Sequence, residues 1–209
     1  MGLWGCQGRN GRRGVARLAW RHRLVYIDRG GGYVANKGKL PRFAGAQLPR
    51  LRRLVELSRD ITGDHFRLGS EEVDSWPVEI RTLADLQSEE IHPSGVLADI
   101  ARYQYSDRLF GRKQDLYRVN LQDHNILRVL RQDPGRLGFS PFLLYVLTHE
   151  LIHIVRFVKF LVPFHTPRET RQEEEQRVHH LTQAILGKVP MRGMERVLRH
   201  YQKLAGGRE

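Results

Sequence analysis

SPFLLYVLTHELIHIVRFVKFLVPF, residues 140–164, is the stretch on which the reading of this chain turns. It contains His149-Glu150-Leu151-Ile152-His153, an H-E-x-x-H pattern. On a helix, positions 149 and 153 lie one turn apart on one face, so two imidazoles can grip a single metal ion. Glu150 stands beside them, where a carboxylate can handle the proton of a water.

The setting supports a helix. Ser140 followed by Pro141 reads as an N-cap and a first helical residue. Leu144, Leu147, Leu151, Ile154, Val158 and Leu161 then recur at spacings of three and four, one apolar stripe. Tyr145, Val146, Ile152, Val155 and Phe157 fill the flanks, so the helix is apolar nearly all round, which means burial. Histidines and a glutamate in such a helix are costly unless they pair or bind a metal. The plainer alternative makes His149 and His153 ordinary core histidines. The run is long enough to span a bilayer, but His149, Glu150, His153, Arg156 and Lys159 lie inside it, and that many ionisable groups argue against a lipid-facing span.

At 209 residues the chain is long enough for one domain with a sizeable core. The net charge of +12 is localised. Residues 1–53 hold thirteen of the 35 Lys and Arg but only Asp28 of the 23 acidic residues, which leaves 22 of each sign in the remainder. Nucleic-acid contact, expected to be weak, therefore belongs to residues 1–53 and not to the rest of the chain. A single cysteine, Cys6, excludes an internal disulfide framework and a cysteine zinc site. With no secretory-type apolar segment at the start, the expectation is a soluble, cytoplasmic protein.

The expected organisation is a flexible, basic Gly/Arg-rich arm over residues 1–45, with Leu24–Ile27 as its one strand candidate, and a domain over 46–209. In the domain, Leu48–Ile61 has helical spacing and Thr62-Gly63 is expected to end it. Pro77–Arg81 reads as a short strand and Pro93–Tyr103 as a helix packed through Val96, Leu97, Ile100 and Ala101. Leu116–Gln122 alternates, with Tyr117, Val119 and Leu121 on one face and Arg118 and Asn120 on the other, a half-buried strand. A short helix starts near Asp123, and Asp133-Pro134-Gly135 is a turn. Beyond Phe164, Thr170 with Glu173 suggests a capping box for a helix to Leu186. Met194, Val197, Leu198, Tyr201 and Leu204 mark a last amphipathic helix.

A hydrolytic zinc site takes three protein ligands and leaves a fourth position open. His165, Glu169, Glu173, Glu174, Glu175, His179 and His180 are the downstream candidates. With Val178 at the centre of the buried face, Glu175 lies about 60° to one side and Glu174 about 40° to the other, so periodicity favours Glu174 slightly. Residues 115–187 resemble zincin-fold metallopeptidases of the gluzincin type, in which a second helix supplies a glutamate and, four positions on, an Asp that supports a ligand. On that alignment Glu175 is the third ligand, with Glu174 the alternative, and His179 stands in the supporting Asp position. The longer metzincin pattern is absent, since Arg156 and Lys159 occupy its Gly and third His positions.

The resemblance implies an α+β, mostly helical fold: a minimal zincin-like domain with a small sheet packed on the H-E-x-x-H helix. It implies one Zn²⁺ held by His149, His153 and Glu175, with Glu150 as general base in peptide-bond hydrolysis of a peptide or protein substrate. The strand at 116–122 is then expected to border the cleft, where an extended substrate adds as a further strand. His124, Tyr117, Tyr105 and Tyr103 are candidates to stabilise the oxyanion. Two other readings stand beside this one. The first is a non-catalytic or nucleic-acid-associated zincin-like protein resembling the SprT-like proteases. The second is a metal-free regulatory domain on the same scaffold.

Overall fold

The computed structural model describes residues 37–74, 76–93, 95–106, 113–132, 137–159, 161 and 168–205. In chain order these form α1 (Gln47–Phe66), α2 (Ser70–Asp74), β1 (Val78–Arg81), β2 (Ala98–Ser106), β3 (Lys113–Leu121), α3 (Asp123–Gln132), α4 (Phe139–Val158), α5 (Arg168–Leu186) and α6 (Met194–Ala205). The fold is α+β and mostly helical, with one small sheet.

α4 is the axis of the core. From Pro141 to Phe157 every residue is buried, as an all-round apolar helix requires. By length and composition it could cross a bilayer, yet 94% of its most apolar window is covered by the protein itself. α1 runs against it most extensively, and α5, α6 and β2 complete the enclosure. The helix begins two residues earlier than expected, with Gly138 as N-cap and no side-chain cap bond, so Ser140 and Pro141 fall inside the first turn.

The sheet order is β1-β3-β2, with β1 parallel to β3 and β2 antiparallel to it. The inner face read over 116–122 holds, with Tyr117, Val119 and Leu121 buried among the main core residues, but the strand is not half-buried, because Asn120 and Gln122 on its other face are buried too. β3 is, however, the central strand, and both of its edges are already paired. Over Tyr117–Asn120, where β1 and β2 both pair with it, it has no edge to offer an extended substrate among the described residues, contrary to the expectation.

Three further expectations are corrected. The segment expected as a helix over Pro93–Tyr103 contributes β2, in which Ile100 pairs with Val119 and Asp99 with Asn120. Val96, Leu97, Ile100 and Ala101 are all buried as expected, but their spacing also suits a strand covered on both faces. The long ladder with β3 then decides the conformation. α1 runs through Thr62-Gly63 and ends at Arg67, which takes a left-handed φ of 53°. Gly63 is there for packing: a Cβ at this position would lie 2.7 Å from Val73 Cγ2 on α2. α5 starts at Arg168, so Thr170 lies within its first turn and does not cap it.

Part of the expected basic arm is packed. Phe43 is buried, its N–H donates to Asp123 Oδ2 at 2.9 Å, and Lys37 Nζ donates to Ala84 O and Leu86 O. The rest of that arm, including Leu24–Ile27, lies outside the described residues, as do Asp133-Pro134-Gly135 and His165.

Candidate metal centre

α4 sets Tyr145, His149 and His153 on one stripe, four residues apart. α5 packs across that stripe and sets Glu175 and His179, also four apart, opposite it. His149 Nε2 and His153 Nε2 lie 3.2 Å apart. Glu175 straddles them, with Oε2 3.5 Å from the first nitrogen and Oε1 3.5 Å from the second. His149 and His153 are wholly buried, and the Glu175 side chain is 16% exposed.

The electrostatics of this convergence are specific. Each Nε2 accepts or donates according to the tautomer, and the Glu175 carboxylate only accepts, so protons on the imidazoles or a shared cation would each satisfy this buried convergence. A shared proton can bridge the two nitrogens; a cation satisfies all three groups. The spacings suit a cation: ligand atoms held about 2.0–2.1 Å from a tetrahedral zinc are separated by about 3.3 Å. The donor set of two imidazoles and one carboxylate is also one that zinc accepts. The residues present therefore fit the ion.

Glu174, the alternative ligand, is engaged elsewhere. Arg156 Nε donates to its Oε1 and Arg156 Nη2 to its Oε2 at 2.9 Å, with both side chains 10% exposed. This fork-to-fork pair ties the last turns of α4 to α5. Adjacent glutamates thus face different partners: Glu175 the histidine pair, Glu174 the arginine. Glu150 is 1% exposed, directly after His149.

His179 lies one turn beyond Glu175. It joins His149 and Glu175 in a wider group whose potential ligand atoms lie within 4.8 Å of one another. Its ring centre is 4.6 Å from that of His149, and its Nδ1 is 2.8 Å from the Tyr145 hydroxyl. Tyr145 is in turn stacked on Tyr201 of α6, with centroids 3.9 Å apart and planes at 3°. Burial pushes the Tyr145 phenol far above its ordinary range, and the charge of Glu175 adds to the shift. Burial likewise pushes Tyr201 well up, with Tyr145 and Glu150 contributing. Both phenols therefore stay protonated at neutral pH.

The proposed oxyanion candidates sit in other surroundings. His124 Nε2 bonds His92 O at 2.9 Å. Tyr103 lies beneath the Arg118 guanidinium at 4.4 Å. Tyr117 stacks on Phe157, which itself stacks on His153. The Tyr105 side chain is outside the described residues. Sequence reasoning missed Tyr145, although it stands four residues before His149 on the same stripe. It also missed Tyr201 and the Arg156–Glu174 pair, which depend on how α5 and α6 cross α4.

Comparison with protein-family models, with curated proteins and with solved structures gives no match.

Proposed function

We propose that the chain is a zinc-dependent hydrolase of peptide bonds, in the manner of the gluzincin-type peptidases that its motif resembles. The observation that carries this reading is the convergence of His149 Nε2, His153 Nε2 and the Glu175 carboxylate at 3.2–3.5 Å. His149, His153 and Glu175 would hold the ion. When bound, zinc supplies Lewis acidity, which polarises a carbonyl and lets water ionise near neutral pH.

The chain's own groups supply the rest. Glu150 follows a ligand directly and is withdrawn from solvent. It is therefore suited to take a proton from water and return it to the leaving amine. The Arg156–Glu174 fork fixes α5 against α4 and so holds Glu175 in register with the two histidines. For an extended substrate, the outer edge of β2 is the better platform, because β2 packs on α4 and is paired on one side only within the described sheet.

A structural zinc staple is the second reading. It is favoured by the depth of the centre, with His149, Glu150 and His153 all at 1% exposure or less. Glu150→Gln separates the two. In the hydrolase it abolishes cleavage of a denatured protein substrate while metal stays bound. In the staple, no Glu150-dependent cleavage exists to lose.

A further inference from the structure

We infer that His179 is a fourth protein ligand, one that closes the metal centre in its resting state, with Tyr145 as the group that holds its ring in place. This rests on the metal-binding half of the proposal above and goes beyond it, since a site open to water has three protein ligands and a closed one has four.

Three observations support it. The potential ligand atom of His179 falls within 4.8 Å of those of His149 and Glu175. That is wider than the separation of about 3.3 Å around a tetrahedral ion, and the group does not include His153, so ligation asks His179 to swing toward the histidine pair by side-chain rotation. Second, Nδ1 of His179 is engaged by the Tyr145 hydroxyl at 2.8 Å. A ligating histidine normally donates its other ring N–H to an oxygen, which fixes the tautomer. In the tautomer in which Nδ1–H donates to Tyr145, the lone pair is on Nε2, and this is the tautomer the inference assigns. Tyr145 suits that task, being wholly buried and clamped flat against Tyr201.

Third, exposure is graded across the group. His149 and His153 are sealed, whereas Glu175 and His179 are partly exposed. The route from solvent to the histidine pair therefore passes the side that His179 flanks. A ligand there occupies the position a water would need. Hydrolysis then requires His179 to give way, and the Tyr145 bond is what that movement must break or carry along.

The test is spectroscopic. The full chain is stripped of metal and reloaded with Co²⁺, and zinc affinity is measured by competition with a chromophoric chelator. Wild type is expected to show the intense visible absorption of four-coordinate cobalt. In wild type that spectrum should not change with pH, whereas in His179→Ala it should become pH-dependent as a metal-bound water ionises, zinc affinity should fall at least about tenfold, and added imidazole should abolish the pH dependence. Tyr145→Phe, which keeps the ring stack and loses only the hydroxyl, should show a smaller fall in affinity and carries the test if His179→Ala does not fold. Superimposable spectra and equal affinities in the wild type and these variants would overturn the assignment while leaving the three-ligand centre intact. A wild type that takes up no metal at all would instead remove the metal-centre reading, a result distinct from a silent His179→Ala.

Discussion

Glu174 and Glu175 are neighbours with opposite expected effects when each is truncated. Glu174→Ala strands Arg156, whose side chain is 10% exposed and otherwise held bidentately. Removing one partner of a buried pair costs about 3–5 kcal/mol, and the residual exposure places this case near the lower figure. For a chain of this length about 3 kcal/mol corresponds to a fall in Tm of roughly 6–12 °C. The loss should appear in metal-free protein. Replacing both partners, as Arg156→Met with Glu174→Leu, should recover most of it, because apolar packing substitutes well for a buried ion pair. Glu175→Ala should behave the other way. It removes one of three converging groups, so metal-free stability should change little. What it loses is the gain on loading, which in wild type is about 2.7 kcal/mol at one hundred times Kd. Thermal unfolding with chelator and with saturating zinc, on wild type and both variants, reads all of this. Equal metal-free stabilities, or a loading gain lost in Glu174→Ala and kept in Glu175→Ala, would refute the division of roles.

Two more outcomes follow from packing and titration. Gly63→Ala should destabilise by about 1 kcal/mol, because overpacking against Val73 Cγ2 at 2.7 Å exceeds the helix-propensity gain of roughly 1 kcal/mol; urea unfolding checks it, and Val73→Ala should turn Gly63→Ala stabilising. His124 is held below its ordinary value of 6.5 chiefly by burial, so on acidification the unfolded chain gains a proton before the native one does. Stability should therefore fall as pH drops from about 6.5 toward the lower native value, and His124→Gln should flatten that part of the pH profile of metal-free protein.

What could be read from the residues follows from how locally each feature is determined. α4 and its histidine pair are set by an apolar pattern and a one-turn spacing, and the structure differs from the sequence reading by little more than the helix ends. β3 is likewise local, because its strict alternation suits a strand and no helix, although Asn120 and Gln122 lie buried on its second face. β2 was misread because Val96, Leu97, Ile100 and Ala101 suit a helix stripe and a doubly buried strand equally. Only the pairing partner, more than ten residues on, separates the two. The choice between Glu174 and Glu175 was open for a similar reason. Angles of about 40° and 60° from the buried centre cannot rank two long side chains. What separates them is Arg156 on α4, which takes Glu174 and leaves Glu175 against the histidines. The Tyr201–Tyr145–His179 chain draws on three helices, so no single segment displayed it.

Metal stoichiometry tests the central claim most directly. The chain is purified without added chelator, dialysed against metal-free buffer and analysed for zinc per mole of protein, beside His149→Ala, His153→Ala and Glu175→Ala variants shown to be folded by circular dichroism. The account predicts about one equivalent in wild type and strong depletion in each variant, as expected when one of three ligands is removed. Wild type that stays metal-free after incubation with zinc, or variants that retain a full equivalent, would contradict it.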